Sequence, residues 1–213
     1  MENGKSKFGY TLQIYYLAAL TFILPVNMLL IAIMPLIAAV IFIILYFSIV
    51  MSIGCLNILK SFKSAADGRT GYCINSMLIL KYGLVVFFLL NFLMFAFISF
   101  IALVASRGTI IFAFPITIPF FVIAFLLSWV MLIPGAFYGV QAARISYDAG
   151  KIGFGEMILH CILQFCFVAD VFDAMYLSVV KWGMGKKSSA AIAILSFFMA
   201  GGIIFLFAKI FAF

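Results

Sequence analysis

Charge is scarce in this 213-residue chain: charged residues make up 9% of it, with six acidic side chains and a single histidine. This composition excludes a soluble globule, because 68% hydrophobic residues and a mean hydropathy of +1.35 leave too little polar surface to cover one. The apolar runs are continuous rather than alternating, which is typical of membrane helices. The predicted fold class is therefore all-α: a polytopic transmembrane helical bundle that forms one integral membrane domain over residues 1–213, without a soluble domain.

The shortage of histidine and of acidic residues also argues against catalysis. His160 is the only histidine, so a serine nucleophile would have to meet it at the same depth, and the chain has no nucleophile-elbow sequence. Asp67 and Asp148 are the only acids in the loops between the predicted spans, and neither belongs to a carboxylate-rich metal motif. The sequence therefore predicts a protein that is not an enzyme and has no cofactor or metal.

Four cysteines do not change that expectation. Cys55, Cys73 and Cys161 fall toward the predicted cytoplasmic ends of spans, where thiols stay reduced, and Cys161 with Cys166 lacks the spacing of a zinc site. The net charge of +7 is spread thinly over the loops, which fits membrane orientation and does not imply nucleic acid. The expected partners are the lipid bilayer and either another membrane protein or further copies of this chain.

Long apolar runs predict about six spans, with five as the alternative. The first run, from Phe8 to Leu59, is long enough for a helical hairpin whose turn lies either at Pro25-Val26-Asn27 or near Pro35. The predicted spans cover residues 8–30, 36–59, 75–104, 116–142, 156–180 and 190–212.

The distribution of lysine and arginine predicts a cytoplasmic N-terminus. With six spans in that orientation, eight cationic residues fall on the inner side and four on the outer side. Three of those four, Lys181, Lys186 and Lys187, lie together in the fifth loop and conflict with the rule. A re-entrant fifth segment, or a sixth segment that does not cross, would bring them inside.

The fifth predicted span carries the richest set of polar residues. Asp170 and Asp173 lie in a run that is otherwise without charge, and an ionisable group in the hydrocarbon costs about 2.5 to 3.5 kcal/mol on insertion scales. On one continuous helix, Glu156, His160, Gln164 and Asp170 would share a broad face that Asp173 extends. That face is predicted to point toward protein or water rather than lipid.

Residues at equal depth on the third span are candidate partners for this face. Lys81 lies level with His160, so it is predicted either to snorkel inward or to pair with Glu156. Asn91 lies level with Asp170, and a hydrogen bond between them is expected. The candidate intramembrane network is therefore Lys81, Asn91, Glu156, His160, Gln164, Asp170 and Asp173.

Three interpretations of this network are open. In the first, its hydrogen bonds hold the helices together and at least one carboxyl group is protonated. In the second, Asp170 and Asp173 form a cation or proton site, and in the third the network lines a vestibule for a polar ligand. On the fourth span, Gly135-x-x-x-Gly139 has the small-xxx-small spacing of close helix packing, either inside the monomer or in a dimer.

Two stretches carry a family resemblance: residues 75–83, NSMLILKYG, and residues 151–173, KIGFGEMILHCILQFCFVADVFD. They resemble a family of small polytopic membrane proteins from Gram-positive bacteria, in which a pattern I-L-H-x-I-L-Q-F-x-F-V-x-D corresponds to Ile158 to Asp170 here. The resemblance implies a bacterial plasma membrane and no particular activity. The last predicted span, 190–212, departs from it.

Together these features predict a non-catalytic, multi-pass plasma-membrane protein that is transport-related or an accessory subunit. The alternative is a substrate-binding membrane component that resembles the six-helix vitamin-capture subunits of importers, which would have a ligand pocket open to the outside. An intramembrane enzyme is a third class, and it would require His160 within reach of a nucleophile or a second acid.

Overall fold

The computed structural model describes residues 9–107 and 114–211, and within these ranges every regular element is helical. The all-α prediction is confirmed. The helices are α1 (Thr11–Ile33), α2 (Leu36–Ala66), α3 (Thr70–Ala105), α4 (Phe114–Asp148), α5 (Phe154–Leu163), α6 (Ala169–Met175), which continues as a π-helical turn (Tyr176–Lys181), and α7 (Lys186–Phe211).

The first hairpin turns at Pro35, which is one of the two positions that the sequence predicted for this turn. α1 ends at Ile33 and α2 begins at Leu36, with Pro35 as its N-cap. Pro25 lies inside α1 instead, where the segments Thr11–Ile23 and Pro25–Ile33 meet at 45°. A proline inside a helix removes one backbone hydrogen bond and bends the helix, whereas at the first turn its missing N–H has no cost.

Three helices of the described chain are long and apolar enough to cross a membrane, which indicates a membrane location: Leu36–Ala66, Thr70–Met94 and Phe125–Asp148. The bent α1 makes a fourth if its two segments count as one span. The prediction of six spans is therefore not supported. For most of the second half of α7 only the backbone is described, so the span at 190–212 stays a prediction.

The segment predicted as span five is not a single crossing helix. α5 ends at Leu163, and α6 with its π-helical turn runs back, so that Lys151 and Lys181 bond each other's backbone. Trp182 Nε1 donates to Ser146 Oγ at 2.7 Å, and Lys151 Nζ lies 3.4 Å from the centre of the Trp182 ring. Residues 151–181 therefore form a hairpin, the re-entrant hairpin, which enters and leaves at the same end of the bundle.

Aromatic residues hold the tip of the re-entrant hairpin inside the bundle. Trp129 Nε1 on α4 donates to the Phe165 carbonyl oxygen at 3.0 Å. The Phe167 ring packs between Phe88 of α3 and Phe125 of α4, at 5.7 and 5.5 Å between ring centres. These contacts fix how far the hairpin reaches between α3 and α4.

The buried core lies toward the end of the bundle where α1 and α3 begin. It is mostly apolar, yet Gln13 is fully buried there and its Nε2 lies within 3.0 Å of the hydroxyl oxygens of Tyr72, Ser76 and Tyr138. This amide therefore ties α1, α3 and α4 together. By contrast, the first half of α2 and the second half of α3 expose large apolar side chains, as helices facing lipid do.

Most of the described cationic residues lie at the end of the bundle where α1 and α3 begin, which is also the end of the buried core. Arg107 lies at the far end of α3, while eight others lie in or next to the connections at the opposite end, where the re-entrant hairpin begins and ends. These are Lys60, Lys63, Arg69, Arg144, Lys151, Lys181, Lys186 and Lys187.

Candidate functional site

The site is built by the break between α5 and α6. The break covers Gln164 to Val168, and Val168 adopts a positive φ of 67°, which a β-branched residue rarely does. Because the chain reverses there, Asp170 and Asp173 face residues of α3 and α5 rather than extending a stripe on one helix. The single-helix geometry predicted from the sequence is wrong, although four of its five residues still come together.

Lys81 and Asp170 form an ion pair between α3 and the re-entrant hairpin. Lys81 Nζ donates to Asp170 Oδ2 at 2.9 Å, and the two residues are 0% and 2% exposed. The sequence placed both residues in the candidate network but assigned other partners to them. Two charges at this burial have lost their water, so each depends on the other for its stability.

Glu156 does not reach Lys81. Its carboxylate lies at the start of α5, accepts from the Gly153 N–H at 3.2 Å and is 3.9 Å from Lys181 Nζ. This makes it a capping residue for α5 that also contacts the last turn of the hairpin. The predicted pairing of Lys81 with Glu156 is therefore wrong.

Asp173 is the second buried carboxylate and joins the two arms of the re-entrant hairpin. Its Oδ1 shares a hydrogen bond with His160 Nδ1, and its Oδ2 accepts from Gln164 Nε2. The His160 ring also stacks on Tyr176, with ring centres 5.5 Å apart. Both oxygens of Asp173 are therefore satisfied within the hairpin itself.

Asn91 is not part of this network. Its Nδ2 donates to the Phe87 carbonyl oxygen at 2.7 Å, one turn earlier on its own helix, so the predicted bond to Asp170 is wrong. An asparagine on a lipid-exposed stretch that satisfies its own backbone avoids an unpaired donor in the hydrocarbon.

The two glycines of α4 provide the surface on which the site packs. A Cβ at Gly139 would lie 1.8 Å from Gln164 Oε1, and a Cβ at Gly135 would lie 3.4 Å from Leu80 Cβ. Of the two readings of Gly135-x-x-x-Gly139, the structure supports close packing inside the monomer. The Gln164 side chain occupies the space that a Cβ at Gly139 would take.

Two cavities adjoin these residues. One, of about 440 Å³, lies between α3, the hairpin and α7, with Lys81 and Asp170 on an otherwise apolar wall that includes Phe92, Val168 and Phe172. The other, a groove of about 560 Å³ on the hairpin, is lined by Glu156, Leu159, His160, Leu163, Ala169, Phe172, Asp173 and Tyr176. Ionisable groups thus border both an apolar cavity and a more polar groove.

The ionisable side chains at this site can exchange protons and form hydrogen bonds. Within the described ranges, histidine, cysteine and carboxylate side chains form no group of three that could hold a metal ion. Sequence reasoning missed Tyr176 and Trp129, since an aromatic residue at a helix break carries no signal of its partner. It did single out the lysine cluster at 181–187, which is the cationic end of the hairpin.

Comparison with known proteins gives a family without an activity. No curated protein and no solved structure matches the chain. The sequence matches a family of unknown function, DUF6652, over residues 6–183, a range that includes the whole re-entrant hairpin and ends before α7. Because that match covers most of its length, the chain belongs to the DUF6652 family.

Proposed function

We propose that this protein is a multi-pass protein of a bacterial plasma membrane, with a cytoplasmic N-terminus and a non-catalytic, transport-related or accessory role. The orientation rests on the eight described cationic residues at the end where α1 begins, against Arg107 at the far end of α3 and Lys209 near the end of α7. Positive residues favour the cytoplasmic side of short loops. With residues 151–181 as a re-entrant hairpin, the lysines near position 186 no longer conflict with that rule.

The observation that carries the functional proposal is the Lys81–Asp170 pair. It is the buried ionic contact between the re-entrant hairpin and the rest of the bundle, at 2.9 Å. Replacing such a pair by apolar residues is often neutral or stabilising, so packing alone gives little reason for its presence. Ionisable residues inside membrane helices frequently serve ion or proton pathways.

Protonation of Asp170 would remove the attraction that holds the hairpin to α3. The titratable groups nearest to it are Lys81 on α3 and, on the hairpin, Asp173 with its partner His160. His160 and Asp173 line the hairpin groove, Lys81 and Asp170 line the apolar cavity, and Phe172 borders both. The hairpin is thereby an element with two states, docked and released, that a proton selects.

Proton flux into liposomes containing the purified protein and a trapped pH-sensitive dye tests this proposal. The variant Lys81→Met/Asp170→Leu removes the ion pair but keeps a neutral, packed contact. We expect the wild type to dissipate a pH gradient faster than this variant does. Asp148→Asn is the control, because Asp148 is exposed and its ion pair with Arg144 is long, at 4.0 Å. This variant should dissipate the gradient as fast as the wild type does. Equal flux in all three proteins would remove the proton-coupled role.

The importer alternative has less support. A substrate-capturing component needs a pocket that opens to the outside, whereas the apolar cavity opens between α3 and the hairpin, and the groove lies on the hairpin, which begins and ends at the cationic side. The importer alternative and the transport-related role therefore differ in the side of the membrane from which a polar ligand would reach the protein.

The contact between His160 and Asp173 is one observation in favour of the enzyme alternative. A carboxylate on Nδ1 leaves Nε2 able to act as a base, as in catalytic dyads. However, no serine, threonine or cysteine is among the described residues that line the groove beside this histidine. A base without a nucleophile within reach favours proton exchange over group transfer.

A further inference from the structure

The apolar cavity beside Lys81 has the features of a lipid-binding site. Its volume of about 440 Å³ falls in the range of roughly 300 to 1,000 Å³ that is usual for small-molecule sites. Residues of α3 and the re-entrant hairpin form most of its lining, together with Leu132 of α4 and Ser196 of α7. α7 is held there by a hydrogen bond between Ser189 Oγ and Tyr82 Oη.

The cavity is accessible from the side that faces lipid. Phe92, Val168 and Phe172 on its rim are 60%, 67% and 53% exposed, although all three are large and apolar. A molecule dissolved in the bilayer can therefore enter between α3 and the hairpin without passing through water. Lys81, deeper in the wall, is 0% exposed to solvent.

The Lys81 ammonium has donors to spare. It carries three N–H groups, and among the described residues it donates one hydrogen bond, to Asp170. A buried ammonium with unused donors on the wall of an apolar cavity favours a ligand that brings a hydrogen-bond acceptor to it. The rest of the lining has almost no polar atoms, which suits an alkyl chain.

The charges beside the cavity favour a ligand whose hydrogen-bond acceptor is uncharged. Asp170 already neutralises Lys81, and Asp173, one turn further along α6, keeps both of its oxygens on His160 and Gln164. A carboxylate ligand would thus bring a second negative charge beside Asp170 with one ammonium to share. An ester carbonyl accepts a hydrogen bond without adding charge.

We propose that this cavity binds one acyl chain of a bilayer lipid, with the ester carbonyl oxygen accepting a hydrogen bond from Lys81 Nζ. Binding at this site requires the Lys81–Asp170 pair to be intact, so it belongs to the docked state of the hairpin, and it is measured as lipid binding rather than as proton flux. It gives the hairpin a second contact with the membrane besides its own apolar surface.

Thermal unfolding of the full-length protein in detergent, with three C16 probes, tests this site. We expect methyl palmitate to raise Tm by several degrees, and hexadecane and palmitate to raise it less. Leu89→Trp fills the cavity and should abolish the shift. Leu90→Trp, on the neighbouring lipid-exposed position, is the matched control and should keep it.

The double variant Lys81→Met/Asp170→Leu separates the polar contact from the cavity. It should bind hexadecane and methyl palmitate equally, because the donor is gone while the apolar walls remain. A wild-type shift that is the same for hexadecane and methyl palmitate, or that survives Leu89→Trp, would mean non-specific lipid contact and would overturn the proposal. A larger shift with palmitate than with methyl palmitate would overturn the neutral acceptor.

Discussion

Lys151 and Lys181 each donate a hydrogen bond to the other's backbone: Lys151 Nζ to the Lys181 carbonyl oxygen at 2.8 Å, and Lys181 Nζ to the Lys151 carbonyl oxygen at 3.3 Å. Thirty residues separate them, which on a single helix would be about 45 Å. Their contact closes the re-entrant hairpin at its base. The break at Gln164 to Val168, at the other end of the hairpin, brings His160 on α5 beside Asp173 on α6.

Breaking the Lys81–Asp170 pair from one side should be costly. Lys81→Met leaves Asp170 buried without its partner, and we expect a loss of about 3 to 5 kcal/mol in the free energy of unfolding. Lys81→Met/Asp170→Leu should recover most of that loss, because neither charge then remains buried. Denaturant titration of both variants in detergent measures the difference, and a double variant as unstable as the single one would contradict this account.

Gly139 is expected to be essential for docking of the hairpin. Gly139→Ala places a methyl group where Gln164 Oε1 now lies, and overpacking of this kind costs about 1 to 3 kcal/mol. Gly155→Ala is the control, since nothing lies within 4 Å of a Cβ there, and its stability should be unchanged or slightly higher. Melting temperatures of the two variants test this. Adding Gln164→Ala to Gly139→Ala should relieve the clash, and no relief would show that the loss has another cause.

Gln13 should stabilise the bundle through its buried amide. Gln13→Leu leaves the hydroxyl groups of Tyr72, Ser76 and Tyr138 without this shared partner, at a cost of about 1 to 3 kcal/mol. Thr11→Val, on the exposed side of the same turn, should have little effect. Equal melting temperatures for the two variants would show that the amide adds nothing.

Composition was enough to predict an all-helical membrane bundle, and of the two candidates for the first turn Pro35 was correct and Pro25-Val26-Asn27 was wrong. The break at Gln164 to Val168 was not predictable from local sequence, because it contains neither glycine nor proline. Tertiary contacts hold it instead, including the hydrogen bond from Trp129 to the Phe165 carbonyl. The excess of lysine at 181–187 was the only sequence signal that the segment turns back.

The site residues were found more readily than their pairings. Asp170 and Asp173 were selected because an ionisable side chain in the hydrocarbon costs free energy, and Lys81 was selected by its depth along α3. Pairing by equal depth then failed, since it assumed a straight fifth span. In a hairpin, Asp170 returns toward the depth of Lys81, and Asn91 is left with the backbone of its own helix.

The sidedness of residue 186 tests the re-entrant hairpin most directly. Lys186→Cys is made in a chain in which Cys55, Cys73, Cys161 and Cys166 are replaced by alanine, and it is labelled with a membrane-impermeant maleimide in intact cells and in inverted vesicles. We expect labelling from the cytoplasmic side alone, the side on which we propose that the N-terminus lies. Labelling of residue 186 from the outside, with the N-terminus inside, would show that residues 151–181 cross the membrane and would contradict the hairpin.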